Sequence, residues 1–250
     1  MISSVCPYCE WDLNVSDDDK IGTICQLCKR PYLVVNSEAY KKAIATEDEF
    51  VIEAGVLIKY KGMSSDIIIP DGVKMIGNSA FEHSITSVLI PNGVSIIAGA
   101  FKGCASLRSI SIPNSVKSIY SRSFLGCSSL KKINLPEGLE EIEDWAFCGC
   151  RSLAEIKVPS SVKTIEKAAF ATCSKLKIVD LPEGLEKIGR HAFDSCISLE
   201  EIRIPSSVSE IGAFAFAGCK NLANIRLENP ELLSHYAVIG TPYAEKINHD

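Results

Sequence analysis

The chain is poor in the residues that carry out chemistry. Histidine occurs four times in 250 residues, as His83, His191, His235 and His249, and the four are scattered. No phosphate loop of the G-x-x-x-x-G-K type is present, which excludes a nucleotide site of that kind. His191, Asp194 and Ser195 are neighbours in sequence, but a catalytic triad demands oriented contacts that adjacency does not supply. No apolar run approaches the ~20 residues of a membrane-spanning helix. Met1 to Cys6 shows neither a basic stretch nor an apolar core, so no secretory signal is visible and a cytoplasmic location is expected. Positive charge is not in surplus either: the net charge of -5 argues against a general nucleic-acid binder. With 46% hydrophobic and 23% charged residues, the composition is that of a packed, soluble protein.

Cysteine is abundant by contrast, and its eleven copies fall into three sets. Cys6-Pro7-Tyr8-Cys9 and Cys25-Gln26-Leu27-Cys28 form two C-x2-C pairs with fifteen residues between them, a spacing suited to a structural zinc site. Each pair turns two thiolates to one side of a tight knuckle, and two knuckles close a tetrahedron. Four sulfurs fill the shell, leaving no position for a catalytic water. A segment of this size buries too little surface to fold alone, so the metal would supply the folding energy. Asp17-Asp18-Asp19 with Gly22 reads as a solvated turn, and Pro31 to Val35 as a closing strand. Residues 1–35 thus resemble a zinc ribbon. A rubredoxin-like iron site uses the same four sulfurs and stays open as a redox or electron-transfer alternative. Cys6-Pro7-Tyr8-Cys9 also looks like a glutaredoxin motif, but no strand and helix of a thioredoxin-like fold surround it.

The remaining sequence keeps time. Pro70, Pro91, Pro113, Pro136, Pro159, Pro182 and Pro205 are separated by 21, 22, 23, 23, 23 and 23 residues. Each is followed by a phenylalanine: Phe81, Phe101, Phe124, Phe147, Phe170, Phe193 and Phe216. Three residues after the last six come Cys104, Cys127, Cys150, Cys173, Cys196 and Cys219, and three further on Leu107, Leu130, Leu153, Leu176, Leu199 and Leu222. Cys148 is left over; an odd total without a signal peptide fits a reducing compartment. A fixed period in the twenties predicts a solenoid whose repeats bury their apolar faces only against one another. In the repeat Leu153 to Cys173, Ile156 and Val158 alternate as a half-buried strand, Pro159 ends it, Ser160-Ser161 turns, and Val162 and Ile165 point inward on a second short segment. Ala169-Phe170 follows at the broad end of the coil. The cysteine column reads as small buried plugs and the phenylalanine column as core.

Leucine, isoleucine, proline, valine, Ala-Phe and cysteine recurring together resemble the BspA-like class of leucine-rich repeat, also known from Treponema surface proteins, over residues 50–228. Phe50 to Gly62 resembles the hairpin that opens such domains, and Gly240 to Lys246 their closing segment. Departures are local: Phe81 to Pro91 is two residues short, Ser123 replaces the alanine, and Glu228 stands where proline belongs. The resemblance implies a mainly β, right-handed solenoid of about eight coils whose strands line a concave face that meets a partner. Two outward columns fall there, two and four residues before each proline. The first reads Ile68, Leu89, Ser111, Asn134, Lys157, Asp180, Arg203, Arg226; the second Asp66, Ser87, Ser109, Lys132, Glu155, Ile178, Glu201, Asn224. Neither holds an aromatic anchor.

The expected organisation is a zinc ribbon over 1–35, a short linker over 36–46 that is helical near 37–46, and the solenoid with its caps over 47–250. The expected activity is non-enzymatic: a scaffold for a protein or peptide partner. Ser111, Lys132, Asn134, Glu155, Lys157, Asp180, Glu201, Arg203 and Arg226 form the docking strip, and Cys6, Cys9, Cys25 and Cys28 hold structural zinc. A small-molecule substrate, nucleic acid and a membrane span are not expected; a cell-surface adhesin is the further alternative that the resemblance brings.

Overall fold

The computed structural model describes residues 47–81 and 85–247. Ahead of them it gives the backbone of four short strands, β1 (Ile2–Val5), β2 (Asp12–Val15), β3 (Thr23–Ile24) and β4 (Pro31–Tyr32). Cys6, Cys9, Cys25 and Cys28, and the linker 36–46 with its expected helix, lie outside the described residues.

The repeats begin on a hairpin. β5 (Phe50–Glu53) and β6 (Val56–Tyr60) pair antiparallel across Ala54-Gly55, both at positive φ. That conformation is the two-residue turn whose twist matches paired strands, and glycine at its second place relieves the strain. Val56 and Leu57 then pair in parallel with Met75 and Ile76, so the hairpin becomes the first rung of the solenoid and covers its open end.

Each coil carries up to two strands. The first set is β7 (Asp66–Ile68), β9 (Ser87–Leu89), β11 (Ser109–Ser111), β14 (Glu155–Lys157), β16 (Ile178–Asp180), β18 (Glu201–Arg203) and β20 (Asn224–Arg226). The second set is β8 (Met75–Ile76), β10 (Ile96–Ile97), β12 (Ser118–Ile119), β13 (Glu141–Ile142), β15 (Thr164–Ile165), β17 (Lys187–Ile188) and β19 (Glu210–Ile211). Both sets run parallel, rung on rung. Between the sets the proline turn forms as its residues predict. Val162 N–H, for example, reaches the Pro159 carbonyl at 3.1 Å, and Val208 that of Pro205 at 3.2 Å.

The broad corner is held differently. From Phe101 to Phe216, the residues two before and two after each repeat phenylalanine are left-handed, including Arg122, Trp145, Ala168, His191 and Phe214 on one side and Thr172, Ser195 and several glycines on the other. Non-glycine residues resist that conformation by about 1 kcal/mol each. Here it aims alternate N–H groups along the solenoid axis. Trp145, Phe147 and Gly149 donate to the carbonyls of Lys167, Ala169 and Ala171 on the next coil at 2.9, 2.8 and 2.8 Å. The corner is thus a hydrogen-bonded ladder without being a strand.

Inside, one continuous apolar core runs from Phe50 to Ala244. Seven phenylalanine rings stack face to face, their centroids 5.0, 5.2, 5.2, 5.3, 5.4 and 5.6 Å apart, with Tyr60 and Phe50 extending the column into the opening hairpin. The cysteine column lies beside it as buried free thiols. From Phe101 to Phe216 each column phenylalanine carbonyl already accepts the N–H of the cysteine three residues on, as Phe147 accepts Cys150 at 3.2 Å. The next coil's thiol takes up the same carbonyl: Cys173 Sγ donates to Phe147 O at 3.2 Å, and Cys127 Sγ to Phe101 O at 3.1 Å. Cysteine suits the place because it is small, mostly apolar and still a weak donor.

Ser123, which departs from the repeat alanine, has a physical reason. Pro91 to Phe101 spans one residue fewer than the other proline-to-phenylalanine stretches, 10 against 11. Its Gly99 N–H bonds no carbonyl of the next coil and is met instead by Ser123 Oγ at 3.1 Å, which donates to the Ile97 and Tyr120 carbonyls at 3.0 and 2.6 Å. The serine repairs a short coil. At the far end the helix α1 (Pro242–Ile247) closes the stack, with Tyr243 N–H on the Leu222 carbonyl at 3.0 Å and Ala244 buried.

Candidate functional site

The outward columns of the first strand set stand where alternation puts them, on the solvent side of buried Ile67, Val88, Ile110, Ile133, Ile156, Ile202 and Ile225. The face is not one sheet, however. Ladders join β7, β9 and β11, then β14 with β16, then β18 with β20, while the coil bearing Lys132 and Asn134 forms no regular strand. Two shallow clefts open at these interruptions. One, of about 520 Å³, is lined by Lys132, Asn134, Glu155, Lys157, Ile178 and Asp180 among others. The other, of about 200 Å³, lies among Lys177, Ile178, Glu201, Arg203 and Arg226.

Most charges expected to greet a partner are already engaged between coils. Lys132 meets Glu155 at 2.7 Å, Arg203 meets Glu183 at 3.1 Å, and Arg226 meets Glu201 at 3.4 Å. Arg203 and Arg226 are register neighbours, and the two acids offset a repulsion that would otherwise sit on adjacent rungs. Exposed pairs of this kind contribute at most about 1 kcal/mol, so their effect is mainly to order the face. Lys157 and Asp180 are also register neighbours, yet neither makes an ion pair among the described residues. Between the clefts Ile178 is 60% exposed, the most uncovered aliphatic side chain of these columns. Ser111 ends the three-stranded segment, half-buried, away from this centre.

A second surface escaped the reading by prolines. The left-handed position two before the phenylalanines from Phe124 to Phe216 forms a column of Arg122, Trp145, buried Ala168, His191 and Phe214, which Tyr236 continues on the closing coil. Stacked coils bring these into contact. Arg122 and Lys167 each lie over the Trp145 ring, 4.9 and 4.8 Å from its centre, and Arg190 lies 5.6 Å over Phe214. His191 stacks on Phe214 at 5.0 Å, which leans on Tyr236 at 6.0 Å. The column keeps one place, nine residues after each proline from Pro113 to Pro205, but changes chemistry from coil to coil.

The cluster of His191, Asp194 and Ser195 is brought together but in the wrong order for acyl transfer. His191 Nδ1 is 2.7 Å from Asp194, and Ser195 donates to the other oxygen of the same carboxylate at 2.8 Å. The serine therefore faces the acid and not the imidazole, so no proton path joins nucleophile to base. Buried column thiols are poor nucleophiles: burial pushes Cys104 up to about 11, and Cys127, Cys150, Cys173 and Cys196 are likewise raised by burial. Among the described residues no group of acids, histidines and cysteines is arranged to hold a metal ion, and no helix is long and apolar enough to cross a membrane.

A coiled stack with a buried phenylalanine column, strands on its sides and a variable outer surface defines a leucine-rich repeat protein. The model of the BspA type leucine rich repeat region matches residues 59–177, 94–223 and 141–247, and the chain belongs to that family. It is similar to a leucine-rich repeat protein from Bacteroides ovatus at 34% identity and a TM-score of 0.68, over 77% of this chain and 54% of that one. The Treponema pallidum leucine rich repeat protein is 28% identical over 71% of this chain and 90% of its own, with a TM-score of 0.65. A leucine rich cell surface protein from Faecalibacterium prausnitzii is 29% identical over 73% and 54%, with a TM-score of 0.63. The chain thus spans about half the length of the Bacteroides and Faecalibacterium structures. No match was found among curated proteins.

Proposed function

We propose that this protein is a non-enzymatic scaffold that receives a protein or peptide partner on its first strand face, centred on Ile178. The observation that carries this is the pairing pattern: one exposed isoleucine between two clefts, bordered by Lys157 and Asp180, on a face whose other charges neutralise each other. An apolar anchor with adjacent uncommitted charges of both signs gives affinity from burial and register from electrostatics. Ser111, Asn134 and the ion-paired Lys132, Glu155, Glu201, Arg203 and Arg226 form the surround. A partner captured by the full chain is expected to be lost with Ile178→Glu and weakened with Lys157→Glu. Retention by both variants at wild-type affinity rejects this face.

The N-terminal cysteines belong to the same proposal as holders of a structural zinc ion. The strand registers support it: Val5 opposite Asp12 and Ile24 opposite Pro31 leave two connections of equal length, 6–11 and 25–30. Each carries cysteine at its first and fourth places, Cys6 and Cys9 in one and Cys25 and Cys28 in the other. Four thiolates suit zinc with no open site, giving a fold-stabilising role. Elemental analysis of purified protein is expected to find one zinc per chain, removed when Cys9 and Cys28 become serine. A visible iron–thiolate band with iron in place of zinc gives the site to electron transfer. The unpaired thiols of the repeats accord with a reducing, cytoplasmic setting. The cell-surface name of the Faecalibacterium relative favours the adhesin reading instead. Fractionation of the producing cell decides between them.

A further inference from the structure

We propose that the corner ridge from Arg122 to Tyr236 is a second docking surface, and that it takes an acidic amphipathic α-helix laid along the solenoid axis, one helical turn per coil. The argument starts from pitch. Successive coils are 5.0 to 5.6 Å apart, measured on the stacked phenylalanine rings just beneath the ridge. An α-helix advances about 5.4 Å per turn, and its i,i+4 side chains are spaced by about 5–6 Å. A stripe of side chains built from mixed i,i+3 and i,i+4 steps, averaging one turn each, keeps pace with the coils along the ridge. An extended peptide, repeating on one face every ~6.7 Å, drifts out of step within a few residues.

Charge selects the kind of helix. Arg122, Lys167 and Arg190 make no ion pair among the described residues; each is held over a ring face instead. The carboxylates beside them keep their charge but are held by contacts within the solenoid, so none of them closes on a ridge guanidinium or ammonium. Asp144 accepts the Lys167 N–H at 3.0 Å, Glu143 the Ser121 N–H at 2.8 Å, Glu166 pairs with Lys187 at 3.2 Å, and Asp194 holds His191 and Ser195. A guanidinium lying flat on a ring keeps its donor edge outward in a fixed place, suited to an incoming carboxylate. The apolar component comes from Trp145 and Phe214, half-buried, with Tyr236 60% exposed.

The same geometry excludes other occupants. The ring faces are covered by one another and by cations, so bases or sugars have no platform on which to stack. The corner N–H groups are spent between coils, so no strand can be added there. What the ridge offers outward is ring edges and cations.

The test uses the full chain and a fluorescein-labelled helical peptide of about 20 residues, with leucine along one face and glutamate at i,i+4 beside it. Anisotropy is expected to show saturable binding that weakens about tenfold or more in Arg122→Glu/Lys167→Glu/Arg190→Glu. The triple glutamine variant, which removes charge without adding repulsion, loses less. Lys157→Glu, on the other face, leaves binding unchanged, which separates this surface from the strand-face proposal. No saturable binding, equal affinity for the triple variants, or equal affinity for a proline-interrupted peptide of the same composition overturns the proposal.

Discussion

Replacing Phe147 with alanine is expected to destabilise the solenoid by about 4 kcal/mol and to split its unfolding into two steps. Phe147 is fully buried, between the rings of Phe124 at 5.2 Å and Phe170 at 5.3 Å. Truncating a buried phenylalanine costs about 3–5 kcal/mol, less where the surroundings collapse into the space. Here they are held open: Phe124 N–H donates to Ala146 O and Phe147 N–H to Ala169 O, both at 2.8 Å, so neighbouring coils stay at their distance. Two ring stacks are lost as well. The upper half of the range follows. Because each coil contacts only its neighbours, weakening one central interface uncouples the coils on either side. Phe216 has a single phenylalanine neighbour, at 5.6 Å, so Phe216→Ala is expected to cost about 1 kcal/mol less and to keep one transition. Guanidinium unfolding followed by far-ultraviolet circular dichroism reads both quantities. A loss below about 2 kcal/mol for Phe147→Ala with a single transition refutes the shared-column argument.

Ser123→Ala restores the repeat residue yet is expected to cost about 1–3 kcal/mol in the same titration, because Gly99 N–H loses its partner in a buried corner. Iodoacetamide at mildly alkaline pH is expected to spare the six column thiols until denaturant is added, while half-buried Cys148 reacts earlier; mass spectrometry of labelled peptides checks the order. Burial and the nearby Glu143, Glu166 and Asp144 raise the Glu141 carboxyl. A raised carboxyl favours the folded state while protonated, and that contribution is lost as pH rises through its folded pKa. Glu141→Gln is therefore expected to raise the melting temperature modestly at pH 7 and to leave it unchanged near pH 3, a profile that calorimetry can follow.

Legibility in the sequence followed repetition. Ile156, Val158, Val162, Ile165, Phe170 and Cys173 occupy buried positions as their spacing requires, because an apolar identity kept over seven coils has one common environment. The ridge was hidden for the opposite reason: Arg122, Trp145, Ala168, His191 and Phe214 share a place but not a chemistry, so their column reads as variable. Likewise the docking strip looked freely charged, since a pair such as Lys132 with Glu155, or Arg226 with Glu201, joins residues more than twenty positions apart.

The sequence by itself determined the period, the inward columns and hence the leucine-rich repeat solenoid, because hydrophobic burial selects which residues must face inside and how often. Only the tertiary structure decided what the outside can do. Stacking at about 5 Å converts distant residues into neighbours, and ion pairs, cation–ring contacts and the repair at Ser123 depend on those distances and not on any local pattern.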